Sequence, residues 1–446
     1  MKRTAPGKFS GGFIFAPSTE VFKEKWKVKQ SEVITFVPQR VYISTQQHIG
    51  APAEPVVEIG DQVKAGDLIA EAGDFVSANI HATITGTVTD ILDWPDNSGN
   101  KVPTIVIEKE EDEVREEDQH AVSFDSMDKE TLIERVSAAG VVGMGGATFP
   151  THVKLTVDDE VEVETIVLNG AECEPFLEAD NLLMQIESGK VLTGARIAQK
   201  ILGAKKVIVA IEDDKPEAIR QMKKAAEAFA DVFIEAVQTS YPQGGEKQLL
   251  EGLLGVEVDL DGLPVDSGVY LMNVATSAAV ADAVERQEPL INRFCTVTGD
   301  VQNKQTVSCP IGTLTGDLID FCEGFDGDPR KIFVGGPMMG KSIDTLEVPI
   351  TKSSNGLVVI NTENARYYEE SPCIRCNLCA EVCPMRLEPQ NLDLFYRAQD
   401  YKRCQDLRAD ACINCGACTY VCPARRDLAQ NITSAAGKIE ELLQEA

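Results

Sequence analysis

Eight of the chain's thirteen cysteines stand in two copies of one pattern. Cys373, Cys376, Cys379 and Cys383, followed by Pro384, form C-x2-C-x2-C-x3-C-P; Cys412, Cys415, Cys418 and Cys422, followed by Pro423, repeat it. Thiolates two residues apart on a tight loop can reach three corners of one iron–sulfur cube, and a fourth sulfur must then arrive from elsewhere. Two zinc sites are the competing use of such spacing, because C-x2-C pairs also hold zinc tetrahedrally. A doubled four-cysteine run with a proline after each copy favours the clusters.

In two-cluster ferredoxins the fourth ligand of each cube comes from the other run. Carried over to this sequence, cluster one takes Cys373, Cys376, Cys379 and Cys422, and cluster two takes Cys412, Cys415, Cys418 and Cys383. Between the runs, Leu392, Leu394, Phe395 and Tyr396 lie among polar residues from Pro389 to Arg403, which predicts a short amphipathic helix in a mostly helical module. Cys404 is expected to be a small buried hydrophobe.

A second region has residues suited to holding a ligand. Gly140 to Lys154 combines Gly143, Gly145 and Gly146, whose amides form an anion-binding nest, with Phe149 for stacking and Lys154 for a phosphate. The bland reading is an ordinary surface loop. Asn169 to Pro175 ends a predicted strand in polar groups suited to a flavin edge or ribityl chain; alone it could be a polar turn. Tyr241 to Lys247 and Asn273 to Thr276 read individually as turn plus helix cap. Gly335 to Ser342 matches G-x4-G-K-S literally, but Pro349 leaves barely two turns for the helix a phosphate loop needs, so a turn after a strand is expected.

The elements that must position these groups fall into four modules. From 41 to 107, short apolar stretches punctuated by Gly60-Asp61, Gly66-Asp67 and Gly73-Asp74 predict a small all-β module. Its turn motifs resemble biotinyl/lipoyl carrier domains, with Phe75 where a carrier would present its modified lysine, so a scaffold role is expected. Glu108 to Asp118 holds eight acids against Lys109 and Arg115 and reads as a linker. Strand-like and helix-like stretches then alternate from about 130 to 255, which favours an α/β sheet with ligand at the carboxyl ends of its strands. The expected boundaries are 1–120, 121–288, 289–350 and 365–446.

Composition narrows the function. With 42 Lys+Arg against 71 Asp+Glu the net charge is −29, which argues against nucleic-acid binding. No apolar stretch follows the basic start MKRTAPGKFSGG, so a secretory signal is not expected. The uncharged run Val136 to Val153 has four glycines and a proline, and is no membrane span.

Taken together, the motifs resemble the flavin-carrying, NADH-binding subunit of respiratory complex I. The whole chain resembles still more closely the C subunits of Rnf complexes, ion-pumping ferredoxin:NAD oxidoreductases. The resemblance runs through Lys8 to Gly12, Gln47 to Pro55, the Gly140 to Lys154 loop, Asn169 to Pro175, Tyr241 to Lys247, Gly335 to Gly340 and both cysteine runs. Thr148 departs from the family pattern, which has glycine before Phe-Pro, and the stretch Phe13 to Gln39 departs from its usual start. The resemblance implies a lipoyl-like barrel-sandwich module, a Rossmann-like α/β flavin domain, a β-grasp module and a helical two-[4Fe-4S] ferredoxin module. It implies FMN near Gly143, Gly145, Gly146, Lys154, Asn169, Glu174, Tyr241, Gly244, Gly245, Asn273 and Thr276, with NAD(H) docking near Phe149 and Glu246. The expected activity moves electrons between NAD(H), FMN and two clusters on the cytoplasmic side of the membrane, peripherally. Partner subunits of the complex would couple it to ferredoxin and ion translocation. No acid–base side chain is required. The rivals are a soluble paralogue serving another reductase, such as a cobalamin or amino-acid reductase system, a flavin-free electron relay, and a zinc scaffold.

Overall fold

The computed structural model describes residues 8–15, 26–28, 32–110, 121–158 and 160–444. The opening residues 1–7 and the acidic stretch 111–118 lie outside them.

The first module is a barrel sandwich. Strands Arg40–Ser44, Lys101–Lys109, Gly86–Pro95 and Gln62–Val63 form one antiparallel sheet; Glu54–Pro55, Leu68–Glu71 and Ile80–His81 form the other. Both close over a core in which Val41, Ile43, Ile69, Ile105 and Ile107 have no exposed surface. The Gly-Asp turns work alike. Gly60 and Gly66 each adopt φ +101°, and the following aspartates accept backbone N–H bonds, Asp61 from Glu58 at 2.8 Å and Asp67 from Lys64 at 2.7 Å. Phe75 stands edge-on to the His152 ring at 6.3 Å, so the carrier-tip position packs toward the glycine-rich loop.

The second module is the expected α/β layer. Its parallel strands run in the order Val232–Val237, Lys206–Glu212, Thr165–Gly170, Val269–Asn273. Thr165–Gly170 is buried at every position, as a strand covered on both faces must be. The stretch 179–202 forms two helices, Ala179–Ile186 and Ser188–Leu202, separated at Glu187. The second stops at Gly203, whose φ of +67° makes the left-handed cap. The chain goes outward from Thr165–Gly170 through two strands and returns to place Val269–Asn273 on its other side. This is a topological switch point, and the crevice beyond the carboxyl ends of these two strands is where such sheets take ligands.

The third module is a six-stranded sheet in the order Ile34–Thr35, Gln305–Pro310, Asn292–Gly299, Gly356–Asn361, Pro329–Val334, Lys341–Ile343. It reaches beyond the 289–350 range expected from sequence. Gly356–Asn361 runs parallel to Asn292–Gly299 and antiparallel to Pro329–Val334, and Ile34–Thr35 adds an edge. Both additions are pairings distant in sequence, which local pattern does not reveal. The G-x4-G-K-S segment is a hairpin turn: Lys341 and Ser342 lie in a strand antiparallel to Pro329–Val334.

The last module is helical. Pro389–Arg397 and Tyr401–Asp406 divide the expected single helix, and Leu428–Gln444 packs over them through Leu392, Ile432, Ala435 and Ile439. Cys404 is fully buried in this core. Among the described residues no helix is long and apolar enough to cross a membrane.

Candidate functional site: a strand-end crevice and two cysteine cavities

Asn169 and Asn273 are register partners at the carboxyl ends of the two switch-point strands. The Asn273 side chain caps helix Val274–Ala281, accepting from the Ala275 and Thr276 amides, and donates to Asp180 Oδ2 at 2.7 Å. The glycine-rich loop lies against this cap. The Met144 N–H donates to Thr276 Oγ1 at 2.9 Å, and a side chain at Gly145 would come within 2.8 Å of Asn273 Cβ. Gly145 and Gly146 are exposed, and nothing approaches within 4 Å of where a Gly146 side chain would stand. Loop closure is made by the Gly143 N–H, which donates to the Phe149 carbonyl at 2.9 Å. Thr148, where the resembling family has glycine, sits at φ +54°, a conformation glycine adopts without strain.

Lys154 lies in the last turn of the short helix Thr151–Leu155. Its Nζ donates to the Leu271 carbonyl at 2.8 Å and lies 3.4 Å from Glu246 Oε2. Asn169 Nδ2 donates to the Gly244 carbonyl at 2.8 Å, which draws the Gly244-Gly245-Glu246 turn to the same strand ends. Phe149 is partly exposed at the rim. Gly143, Gly145, Gly146, Phe149, Lys154, Asn169, Gly244, Gly245, Glu246, Asn273 and Thr276 therefore converge, with Asn273 and Thr276 bracing the loop from beneath. Tyr270 Oη, Thr151 Oγ1 and His152 Nδ1, on the same elements, are buried without a hydrogen-bond partner among the described residues. Exposed glycine amides, a lysine and unpartnered polar atoms suit a phosphate-bearing flavin.

The other two residues of that set point elsewhere. Glu174 accepts the Met338 and Met339 amides of the hairpin turn at 3.1 and 2.6 Å. Removal from water pushes its carboxyl up to about 7, against the pull of those two hydrogen bonds. The P-loop lookalike thus offers its amides to a carboxylate of this chain. Tyr241 is fully buried, and its hydroxyl donates to the Cys415 carbonyl at 2.7 Å.

Glu172, within the Asn169 to Pro175 stretch, turns instead toward Asp180 and a helix start. Glu172 accepts amides of Ala179, Asp180 and Asn181 at the start of helix Ala179–Ile186, and burial followed by repulsion from Asp180 raises its pKa well above the ordinary range. The partner lies seven residues on, beyond any local capping pattern.

The cysteines gather in two groups. Cys373, Cys376, Cys379 and Cys422 line one cavity, with Arg375, Gln390 and Arg426; Cys383, Cys412, Cys415 and Cys418 line another, walled by Met385, Leu387, Ile413 and Ile432. Each run thus lends its last cysteine to the other. Among the described residues no three His, Cys, Asp or Glu are placed to hold a single metal ion; the thiols surround a volume instead. The two runs also bend alike. Left-handed residues recur at Arg375 and Asn414, at Asn377 and Gly416, and at Arg386 and Arg425. The Arg375 and Asn414 amides approach Cys373 and Cys412 Sγ at 3.4 Å, and the Leu387 amide approaches Cys383 Sγ at 3.3 Å. Burial raises the Cys415 thiol to about 11. The donor set fits two [4Fe-4S] groups.

Three family descriptions match the chain: the RnfC barrel sandwich hybrid domain over residues 13–112, the Nuo51 FMN-binding domain over 136–282 and the 4Fe-4S dicluster domain over 372–425. The C subunit of a proton-translocating ferredoxin:NAD(+) oxidoreductase complex of Clostridium ljungdahlii is 43% identical, covering 86% of this chain and 84% of that protein. The C subunit of a Na(+)-translocating complex of Acetobacterium woodii is 39% identical, covering 82% and 84%. In solved structures, an NAD+-reducing [NiFe]-hydrogenase in the H2-reduced state matches with a TM-score of 0.50 and 19% identity, over 69% of this chain and 63% of that one. At that identity the likeness concerns the fold.

Proposed function

Because the chain belongs to the C-subunit family of ion-translocating ferredoxin:NAD oxidoreductase complexes, we propose that its switch-point crevice holds FMN and receives NAD(H), and that its eight grouped cysteines hold two [4Fe-4S] clusters. The protein is an oxidoreductase subunit that moves electrons among NAD(H), FMN and the clusters. Other subunits of a membrane complex connect it to ferredoxin and to ion movement, and it sits peripherally on the cytoplasmic side. The observation that carries this reading is the exchange of Cys383 and Cys422 between the two cysteine groups, beside a crevice at the switch point of a parallel sheet.

Bound FMN supplies exchange between the two-electron chemistry of hydride and the one-electron chemistry of iron–sulfur groups. The chain's own residues bind and orient. Gly145 and Gly146 expose amides to an anion, Lys154 adds a positive charge, and Phe149 offers a ring face at the rim. Anaerobic purification followed by flavin and iron analysis, then rapid mixing with NADH and with NADPH, tests the function. Bound FMN, iron for two clusters and bleaching by NADH are expected. A colourless, flavin-free protein would refute the reading.

A further inference from the structure

The sequence motif Lys8 to Gly12 and the two phenylalanines after it run along the seam between the α/β module and the cysteine module. At one end Glu251 holds Ser10, accepting its N–H at 3.1 Å and its hydroxyl at 2.6 Å, and Arg386 of the cysteine module donates to the Ser10 hydroxyl oxygen at 3.0 Å. The two glycines come next. The Gly12 N–H donates to the Val382 carbonyl at 2.9 Å. A side chain at Gly11 would stand 2.6 Å from the Cys383 carbonyl, and one at Gly12 would stand 2.8 Å from the Tyr241 carbonyl. Both lie at positive φ, +79° and +69°, so space and conformation alike demand bare backbone. Beyond them Phe13 exchanges backbone hydrogen bonds of 2.9 and 2.8 Å with Tyr241. Its ring stacks on Tyr420 at 4.8 Å, and Phe15 stands edge-on to the same tyrosine at 5.4 Å. Val382 and Cys383 belong to the first cysteine run and Tyr420 to the second. The arm thus spans both runs, and its phenylalanines pack with Cys415 and Ala417, which line the cavity of Cys383, Cys412, Cys415 and Cys418. In this inner set Cys415 and Cys418 are 8% and 7% exposed, whereas Cys373 and Cys376 of the outward set are exposed.

We propose that residues 10–15 are a strap that keeps the inner cysteine set closed to solvent, so that iron held there is retained. The proposal rests on the cluster reading above. Thiolate-bound iron leaves when water or a competing ligand reaches it, and for a buried site the wall beside it has to open first. Here that wall is a seam between two modules, and the arm is bonded to both sides of it. Other contacts cross the same seam: the Tyr241 hydroxyl donates to the Cys415 carbonyl at 2.7 Å, and Arg386 pairs with Glu257 at 3.1 Å. Weakening the arm therefore raises the frequency of local opening and leaves the modules joined. The outward set, with two of its four cysteines already exposed, gains no protection from the strap.

The experiment uses the full chain, purified anaerobically, as parent and as Gly11→Ala, Phe13→Ala and Gly60→Ala. Gly60 sits in a barrel-sandwich turn at φ +101° with open space around it, so its variant imposes backbone strain of the same kind in another module. Iron release to a ferrous chelator is timed without oxygen, and samples taken along the course are reduced with dithionite and frozen for paramagnetic resonance. Loss of one signal in Cys376→Ala assigns the outward set. Gly11→Ala and Phe13→Ala are expected to release inner-set iron about tenfold faster than the parent, the scale of losing one aromatic contact from the closed state. Outward-set release is expected to be unchanged in both, and Gly60→Ala is expected to behave as the parent. If Gly11→Ala does not fold, Phe13→Ala decides alone. Inner-set release at the parent's rate in the folded arm variants overturns the strap. Equal acceleration of both sets, or the same acceleration in Gly60→Ala, overturns it as well, because general loosening then explains the loss. A parent that carries no iron overturns the cluster reading and this proposal with it.

Discussion

Lys154 stands at the proposed FMN crevice in a chain of net charge −29. Flavin phosphate and dinucleotide are anions, so attraction has to be local, and Glu246 at 3.4 Å already competes for the ammonium. Lys154→Ala is expected to weaken FMN binding about ten- to a hundredfold, the worth of one charge-assisted hydrogen bond. Fluorescence titration of the flavin-stripped protein measures it; unaltered affinity would move the phosphate away from this lysine. Thr148 makes a second residue-scale case. A β-branched residue at φ +54° costs about 1–2 kcal/mol, whereas glycine there forfeits roughly 0.5–1 kcal/mol of chain entropy. Thr148→Gly should therefore raise stability by up to about 1 kcal/mol, and a denaturation midpoint that falls would assign compensating contacts to the threonine side chain.

The cysteine module depends on an element contact no motif announces. Asp393, almost fully buried on helix Pro389–Arg397, accepts from Arg397 Nε at 2.8 Å, Arg426 Nε at 2.8 Å and Asn431 Nδ2 at 2.6 Å, tying that helix to the end of the second cysteine run and to helix Leu428–Gln444. Desolvation raises its pKa, but these hydrogen bonds outweigh it and the net shift is downward. The folded form then binds fewer protons than the unfolded one below the ordinary carboxylate range. Its contribution is present above about pH 4 and is lost as pH falls further. Asp393→Ala is expected to cost about 3 kcal/mol, because Arg426 stays enclosed with only the partly exposed Glu370, at 3.2 Å, left to pair with. Chemical denaturation of the cluster-loaded protein monitored at the cluster absorbance reads this, and a change below about 0.5 kcal/mol, the scale of a surface pair, would discount the network.

At the scale of the molecule, Lys352 joins three modules. It lies on the loop before the central strand Gly356–Asn361, is 1% exposed, and its Nζ donates to the Asn79 carbonyl of the barrel sandwich at 2.8 Å and to the Gly140 carbonyl at the head of the glycine-rich loop at 2.7 Å. Burial lowers its pKa to about 7, and a neutral amine has two N–H groups for these two carbonyls. Burial, with a smaller push from Lys352, lowers nearby His81 to about 3. Between pH 7 and the ordinary lysine value of 10.5 the unfolded chain holds more protons than the folded one, so this group makes stability rise with pH across that window. Lys352→Met should flatten that rise while lowering stability at pH 10 through two unpaired carbonyls. Parallel melts at pH 7 and pH 9 measure the slope; an unchanged slope would show that the lysine stays charged.

The sequence by itself determined what each segment can bond to. Cysteine spacing pointed to cluster chemistry, glycines and Lys154 to the proposed anion loop, and the strand and helix periods to an α/β layer, because ligand type, φ freedom and side-chain period are local properties. Even the carrier likeness and its displaced tip at Phe75 could be read from turn spacing. Tertiary structure alone decided which of these groups meet. Tyr241 and Glu174 sit beside the crevice loops in sequence pattern, yet one serves Cys415 and the other the Gly335–Gly340 turn. Gly356–Asn361 pairs with the distant strand Asn292–Gly299, and Lys352 pins carbonyls from two other modules. Such pairings depend on packing between segments distant along the chain, where burial selects partners and local propensity has no say.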